Sequence, residues 1–307
     1  MTKLAFKGRD IISIDELNRH EIEYVLENAA ALEKTPRPTL LTGHILASLF
    51  FEPSTRTQLS FASAMMRLGG SVLGVANSES SSRAKGETVY DTAKMAEQYA
   101  DIIVIRHPHQ GAARVAAEAS AKPVINAGDG ANQHPTQTLL DLYSIKKTQG
   151  KLEKLHVAVV GDLKYGRAVH SLTTALADFS PHLSFVAPKV LAIPKKYLTY
   201  LTERGIPYSE HEQIEDVIKD VDVLYMTRIQ KERFGDPLEY ERVKNVYVLS
   251  REHLRGVKRN MKILHPLPRV SEIACDVDET SHAYYFQQAG NGVFVRQALL
   301  GLILGKL

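Results

Sequence analysis

Short apolar runs alternate with amphipathic stretches along the whole chain. The run Ile45 to Phe51 predicts a buried strand, and Leu59, Ala62 and Met65 then recur at helical spacing before Gly69. Further strands are predicted at residues 72–75, 102–105, 123–126, 157–160, 184–186, 221–226 and 261–264. Because most of these strands are separated by a helical pattern, the order is typical of a parallel sheet.

Both ends of the chain are predicted to be helical. Ser13-Ile14-Asp15-Glu16 matches a capping box, Ile12 and Leu17 suit the hydrophobic staple, and the first helix then extends to about Lys34. The last helix, over residues 293–304, carries apolar side chains that need a partner surface.

Length and a break at Gln149-Gly150 indicate two domains. The chain has 307 residues, whereas single cores rarely grow beyond about 250–300 residues. The alternation of strands and helices starts afresh after Gln149-Gly150, which is therefore the best candidate for a hinge. We expect an α/β protein with two doubly wound domains, each with a mainly parallel sheet flanked by helices.

Composition narrows the function classes. Hydrophobic residues make up 44% of the chain, the net charge is +3, and no block of consecutive Lys or Arg indicates a nucleic-acid surface. No run approaches the roughly 18 apolar residues of a membrane span, and the first residues lack the apolar core of a signal peptide, so we expect a cytoplasmic protein. The one cysteine, Cys275, excludes an intrachain disulfide and a cysteine-rich zinc site, and we expect it to be buried or half-buried.

The loop between the first strand and the next helix suits a phosphate. Ser54, Thr55, Arg56 and Thr57 place three hydroxyls and a guanidinium at a helix N-terminus, where unpaired N–H groups and the helix dipole favour an anion. The glycines and the Lys-Ser/Thr pair of a Walker loop are missing, and so is a dinucleotide fingerprint. The alternative is ordinary N-capping by Ser54 with Arg56 in solvent.

Two more polar residues follow strands of the first half. Arg106 comes directly after its strand, and His134 follows the loop after the next one. Open α/β sheets bind ligands at these carboxyl ends, although a histidine there is also common as a turn or core residue.

The second half offers a pair of arginines. Arg167 begins a helix after a glycine-bearing turn, and Arg228 and Gln230 follow another strand. Two guanidiniums at neighbouring strand ends suit a dicarboxylate, since each can bind one carboxylate. The alternatives are a surface ion pair of Arg167 with Asp162 and a solvated Arg228.

Two loops remain. His265-Pro266-Leu267-Pro268-Arg269 follows the last strand, and its two prolines remove N–H donors but leave carbonyls free to accept from a substrate NH2 group. The alternative is a plain strand-ending turn. Residues 77–86 are rich in serine, lack a large apolar anchor and predict a mobile surface loop.

These motifs, in this order, resemble the aspartate and ornithine carbamoyltransferases over nearly the whole chain. The resemblance is closest to catalytic chains of the enterobacterial type of aspartate carbamoyltransferase. It rests on five segments, which are Ser54-Thr55-Arg56-Thr57, Lys85-Gly86-Glu87, Arg106-His107-Pro108, His134-Pro135-Thr136-Gln137 and His265-Pro266-Leu267-Pro268-Arg269.

The resemblance implies carbamoyl transfer from carbamoyl phosphate to L-aspartate in pyrimidine biosynthesis, with no cofactor and no metal. It implies a carbamoyl-phosphate-binding domain at residues 1–134 plus 292–307 and an aspartate-binding domain at residues 135–291. The catalytic residues that it implies are Arg56, Thr57, Lys85, Arg106 and His134. Carbamoyl phosphate would further contact Ser54, Thr55, Ser81, Gln137, Pro266, Leu267 and Pro268, and aspartate would contact Lys85, Arg167, Arg228 and Gln230.

The resemblance also implies partners. In the family, the loop with Lys85 and a preceding serine, here Ser81, reaches the active site of the neighbouring chain of a homotrimer. The enterobacterial type suggests a separate zinc-bearing regulatory chain in a larger holoenzyme. No nucleic acid and no membrane are expected as partners.

Three other functions stay open. Ornithine carbamoyltransferases carry a cysteine where this chain has Pro266, and paired arginines would repel the cationic ornithine. A non-catalytic phosphate-binding module and a nucleotide-dependent oxidoreductase are the other two.

Overall fold

The computed structural model describes residues 5–74, 86–230 and 234–307. The chain divides into two compact units, unit 1 with Met1–Leu140 and Gly290–Leu307, and unit 2 with Asp141–Ala289. No helix within the described residues is long and apolar enough to cross a membrane.

Unit 1 is built on a parallel four-stranded sheet. Its strands are β1 (Ile45–Phe50), β2 (Ser71–Gly74), β3 (Ile102–His107) and β4 (Val124–Asp129), in the spatial order β2-β1-β3-β4. Its helices are α1 (Arg19–Lys34), α2 (Thr55–Arg67), α3 (Val89–Ala96) and α4 (Ala112–Ala119).

Unit 2 carries a parallel five-stranded sheet. Its strands are β5 (His156–Val160), β6 (His182–Val186), β7 (Tyr208–His211), β8 (Val223–Met226) and β9 (Lys262–Leu264), in the spatial order β7-β6-β5-β8-β9. Its helices are α6 (Arg167–Ala177), α7 (Lys195–Glu203) and α8 (Pro237–Val243). The chain enters this unit within α5 (Pro135–Gln149) and leaves it within α9 (Tyr285–Ile303).

Small side chains pack the helices of unit 1 onto its sheet. Ala93 of α3 and Ala116 of α4 are buried against Ile103 and Ile105 of β3 in one apolar cluster. The absence of bulk at these alanines lets the helix backbones approach the branched side chains of the strand. One face of the inner strand β3 is thereby covered by these helices.

The strand orders fix where each sheet can bind a ligand. In unit 1 the chain proceeds from β1 to β2 on one side and resumes with β3 on the other side of β1. In unit 2 the same reversal separates β5 from β8. Such a switch point leaves a crevice at the carboxyl ends of the two strands, where α/β proteins bind their ligands.

The N-terminal cap differs from its prediction. The capping box is formed by Asn18 and Glu21, which exchange hydrogen bonds of 3.1 and 2.9 Å, rather than by Ser13 and Glu16. Glu16 instead pairs with Arg114. Ser13 caps a short 3₁₀ turn over Ile14–Glu16, and α1 begins only after Asn18.

Several other predictions were incomplete or wrong. Strand β7 was missed because Tyr208–His211 is a half-exposed edge strand without an apolar alternation. Helix α9 starts at Tyr285, earlier than the predicted residue 293. The prediction missed its first half because the glycines there do not fit a helical pattern. Cys275 is exposed in a short 3₁₀ turn, so its predicted burial was wrong.

The ends of β5 and β8 approach each other closely at Gly161, and a substitution there tests this contact. Gly161 has φ +119°, and a Cβ there would lie 2.2 Å from the carbonyl oxygen of Thr227. We expect Gly161→Ala to lower the free energy of unfolding by at least about 2 kcal/mol, because both the backbone angle and the clash are unfavourable. Urea denaturation measures the change.

The matched control for Gly161 is a glycine with space around it. Gly290 lies in α9 with nothing within 4 Å of an added Cβ. Gly290→Ala is expected to be neutral or stabilising by up to about 1 kcal/mol. Equal effects of the two substitutions would contradict the steric account.

His170 makes the stability of unit 2 depend on pH. Burial lowers the pKa of His170 to about 4, while its Nε2 donates to the carbonyl of Leu163 at 2.9 Å. The unfolded chain binds this proton near pH 6.5, so the contribution is complete above that pH and is lost as the pH falls toward 4. The loss amounts to at most about 3 kcal/mol.

The variant His170→Gln isolates this contribution, since its amide can still donate to Leu163 but does not titrate. We expect the difference in unfolding free energy between the protein and this variant to shrink steadily between pH 7 and pH 4. A difference that stays constant over this range would assign the acid sensitivity to other groups.

Candidate active site

The loop after β1 leads into a helix N-terminus that has no side-chain cap. Ser54 stands at the N-cap position of α2, but its hydroxyl accepts no hydrogen bond from the first turn of that helix. Thr55 and Arg56 are exposed and Thr57 is buried. Since the first N–H groups of a helix lack intrahelical partners, hydroxyls and amides are available together.

Arg106 joins three strand ends of unit 1. Its Nε lies 3.0 Å from Oε2 of Glu52, and its Nη1 donates to the carbonyl of Ala127 at 3.3 Å. Its own carbonyl accepts from the N–H of Phe51 at 2.8 Å. The guanidinium is therefore held between the loop after β1 and the end of β4.

A buried carboxylate organises the loop that leads to His134. Oδ1 of Asp129 accepts from Nδ2 of Asn126 at 2.8 Å and from the N–H of Gln133 at 3.2 Å. Oδ2 accepts from the N–H of Gly111 at 2.8 Å and from Asn132 at 3.1 Å. The loop between β4 and α5 is thus fixed from within.

His134 and Gln137 lie at the start of α5. Both side chains are buried, and the carbonyl of His134 accepts from the N–H groups of Gln137 and Thr138 at 3.0 and 3.2 Å. The polar residues predicted for the phosphate half therefore all belong to unit 1, apart from those outside the described residues.

In unit 2, the predicted arginines flank the switch point. Arg167 is the first residue of α6, directly after the turn that follows β5, and Arg228 follows β8 by two residues. The N–H of Thr227 donates to the carbonyl of Val160 at 2.8 Å, which joins the two strand ends. Both arginine side chains are partly exposed.

Asp162 fixes the backbone between these arginines. Its carboxylate accepts from the N–H of Tyr165 at 3.0 Å and from the N–H of Gln230 at 3.3 Å. Burial raises the pKa of Asp162, and the hydrogen bonds from the backbone oppose that rise. The sequence suggested Asp162 only as an ion-pair partner of Arg167, whereas here it bonds the backbone of both loops.

The loop after β9, which contains the proposed binding carbonyls, has two rare backbone features. Leu267 has φ +57° and is followed by a cis bond to Pro268. Pro266 and Leu267 are half-buried, Pro268 is exposed, and Arg269 pairs with Asp278.

Ser81 and Lys85 lie outside the described residues, as does most of the predicted serine-rich loop. Within the described part of the chain, no three His, Cys, Asp or Glu side chains cluster in a way that could hold a metal ion.

Sequence reasoning missed the carboxylates that support the site. Glu52, Asp129 and Asp162 were not given positioning roles, although each immediately follows or ends a strand. That position next to turn-forming glycines was the only available signal for Asp129 and Asp162. Glu272 had no such signal, although it follows the loop after β9 by a few residues, because its contact with His265 depends on how that loop turns back.

Family comparisons cover both units. The model for the aspartate/ornithine carbamoyltransferase carbamoyl-P binding domain matches residues 9–147. The model for the Asp/Orn binding domain of the same family matches residues 153–303.

Individual relatives agree. The aspartate carbamoyltransferase catalytic subunit of Bacteroides fragilis is 55% identical over 97% of this chain and 97% of its own length. The catalytic subunit of M. jannaschii aspartate transcarbamoylase is 49% identical, with a TM-score of 0.90 over 97% of this chain and 98% of that one.

A third relative was solved with its ligands. Trypanosoma cruzi aspartate transcarbamoylase in complex with carbamoyl phosphate and aspartate is 37% identical, with a TM-score of 0.94 over 98% of each chain. From the motifs, the two parallel-sheet units and these matches together, the chain belongs to the aspartate/ornithine carbamoyltransferase family.

Proposed function

We propose that the protein transfers the carbamoyl group of carbamoyl phosphate to the amino group of L-aspartate. The products are N-carbamoyl-L-aspartate and phosphate, and the reaction belongs to de novo pyrimidine biosynthesis. The observation that carries the proposal is the chemistry at the two switch points, an anion cradle in unit 1 and two arginines in unit 2. The relatives named for aspartate support the choice of acceptor.

Unit 1 provides the donor half. Ser54, Thr55, Arg56 and Thr57 bind the phosphate at the N-terminus of α2, where the helix dipole favours its charge. Arg106 is held by Glu52 and Ala127 and adds a fixed cation beside this cradle. A guanidinium that is already oriented stabilises the leaving phosphate without reorganisation.

The carbamoyl group is polarised by donors and held by acceptors. Arg106, Thr57 and His134 donate to its oxygen, which becomes negative as the amine attacks. Gln137 and the carbonyls of Pro266 and Leu267 bind its NH2 group, with Pro268 shaping that loop. Free carbonyls suit this role because a buried NH2 needs both of its donors matched.

Unit 2 provides the acceptor half. Arg167 and Arg228 each bind one carboxylate of aspartate, and Gln230 adds a hydrogen bond. Asp162 fixes the backbone on both sides of this pair without offering its carboxylate to the substrate. A cationic acceptor such as ornithine is disfavoured by the two guanidiniums.

The reaction needs little covalent help from the protein. Carbamoyl phosphate is already activated, so positioning and electrostatic stabilisation suffice, and the departing phosphate accepts the proton of the amine. Closure of the two domains brings the substrates together and excludes water. No cofactor and no metal take part in this scheme.

We further propose that the protein is a cytoplasmic homotrimer. Three large apolar side chains of unit 1 support an assembly, since Leu59 and Met66 on α2 and Leu73 on β2 are 64%, 59% and 48% exposed. Such surfaces commonly mark contacts between chains. Lys85 and Ser81 serve the site of the neighbouring chain, and a zinc-bearing regulatory chain of the enterobacterial type completes a larger holoenzyme.

The proposed function is tested by product formation from carbamoyl phosphate with L-aspartate and L-ornithine side by side. We expect turnover with aspartate alone. Turnover with ornithine would contradict the role of the arginines, and no turnover with either would favour a non-catalytic binding module.

Arg228→Ala tests the acceptor half. Loss of a charged hydrogen-bond pair costs about 1.5–3 kcal/mol, so we expect kcat/KM for aspartate to fall about 10- to 150-fold, with the KM for carbamoyl phosphate little changed. The control is Arg255→Ala, since Arg255 is highly exposed and precedes β9. A fall of equal size in both variants would count against a specific role of Arg228.

Shared sites are tested by mixing inactive chains. Trimers that combine Arg56→Ala chains with Lys85→Ala chains are expected to regain activity, because some sites then contain an intact cradle and an intact neighbouring Lys85. Mixtures of Arg56→Ala with Arg106→Ala should stay inactive, since both residues belong to one cradle. Absence of recovery in the first mixture would place each site within one chain.

A further inference from the structure

The loop after β9 is held from behind by a buried imidazole. His265 ends this strand region and is 2% exposed. Its Nδ1 accepts from the N–H of Leu267 at 2.7 Å, and its Nε2 lies 2.7 Å from Oε1 of Glu272. Since a backbone N–H can only donate, the ring proton sits on Nε2 and is donated to the carboxylate.

Glu272 is itself fixed on its other side. It is 7% exposed, and its Oε2 accepts from the N–H groups of Val270 and Ser271 at 3.1 Å each. Burial alone raises the pKa of Glu272, but the hydrogen bonds from His265 and the backbone outweigh it and lower that pKa. The carboxylate is therefore ionised at neutral pH and accepts a hydrogen bond from the Nε2–H group of His265.

Leu267 needs this support because of its backbone. Its φ of +57° lies in the left-handed region, which residues with a Cβ rarely occupy. Such a conformation persists only where the surroundings impose it. The N–H bond to His265 and the packing of the Leu267 side chain against the unit 2 core provide that constraint.

The backbone of His265 is in turn anchored to the sheet. The backbone N–H of His265 donates to Oε1 of Gln288 at 2.8 Å, and Nε2 of Gln288 donates to Oδ1 of Asp141 at 2.6 Å. Oδ2 of Asp141 accepts from the hydroxyl of Tyr225, in β8, at 2.7 Å. The loop is thus connected to the interior of unit 2 by a continuous series of buried hydrogen bonds.

We propose that Glu272 and His265 form a positioning pair that holds the N–H of Leu267 and so orients the carbonyl of Pro266, which belongs to the same peptide group, for the carbamoyl NH2 group. This inference rests on the proposed function for its catalytic effect. Neither residue touches substrate. The carboxylate of Glu272 fixes the ring of His265, and the ring holds the backbone N–H of Leu267. The peptide group with that N–H carries the carbonyl proposed to bind the NH2 group.

Two amide variants of His265 separate the two contacts. His265→Asn places an oxygen near the position of Nδ1 and keeps the acceptor for Leu267, while it loses Glu272. His265→Gln places its amide near Nε2 and keeps Glu272, while it loses the acceptor for Leu267. Both bury an amide in the same site, which makes them matched controls for stability.

With aspartate and carbamoyl phosphate we expect His265→Gln to lose about 10- to 100-fold in kcat/KM, as a misplaced binding group does, and His265→Asn to retain most of it. Phosphate affinity, which depends on unit 1, should be unchanged in both. Glu272→Gln should lower kcat/KM in the natural chain but add little to His265→Gln. Equal losses in the two His265 variants, or additive losses with Glu272→Gln, would overturn the proposal.

A second measurement needs no turnover. Amide hydrogen exchange should show Leu267 protected in the natural chain and in His265→Asn, and exchanging faster in His265→Gln. Equal exchange in the two variants overturns the positioning pair even if the protein proves inactive, whereas inactivity of the natural chain overturns the proposed function alone. If neither His265 variant folds, Glu272→Gln carries the same exchange test, with faster exchange at Leu267 expected and natural protection as the contradicting result.

Discussion

The parallel direction of the strands is the constraint on which the candidate site depends. When all strands of a sheet point the same way, their carboxyl ends meet at one edge, and a reversal of strand order opens a crevice there. Both units have such a reversal, between β1 and β3 in one and between β5 and β8 in the other. Arg106 is the next-to-last residue of β3 and Arg228 follows β8 by two residues, so both proposed binding cations lie at the carboxyl ends of strands where a crevice opens.

Buried carboxylates and partly exposed cations have different roles at these edges: the carboxylates hold the loop backbone, and the cations are proposed to bind substrate. Asp129, Asp162 and Glu272 each accept two backbone N–H groups, from two loops at Asp129 and Asp162 and from one loop at Glu272, close to proposed binding residues. An ionised or partly buried carboxylate is a strong acceptor for such donors, so it holds irregular backbone that no helix or strand would hold. The cations are then available for the proposed binding of anionic substrates, and a chain of net charge only +3 can in this way concentrate positive charge at two places.

Sequence patterns predicted the parts of the fold that follow a period. Strands such as β1, β3 and β5 are apolar runs, and the order of strand and helix gave the parallel sheets. Patterns failed at Glu16, which pairs with Arg114 and not with the predicted cap, and at β7, whose Tyr208–His211 is held by one neighbour. Arg56, Arg106 and Arg228 were proposed from their positions near strand ends, whereas Glu272 was not, because the sequence does not show that the chain turns back and places this carboxylate against His265.

The buried polar series from Tyr225 to His265 is better explained by orientation than by stability. Removing hydroxyl, carboxyl and amide groups from water is costly even when they bond each other, and apolar residues of similar shape often fold as well or better. Burial and the neighbouring Asp141 raise the pKa of Tyr225 well above its usual range, so its hydroxyl keeps its proton and donates at 2.7 Å. Apolar packing resists compression but does not fix the rotation of a ring or a peptide, whereas each hydrogen bond of this series has one allowed direction. That directionality extends from β8 to the Pro266–Leu267 peptide, where a rotation would turn the Pro266 carbonyl away from any bound NH2 group.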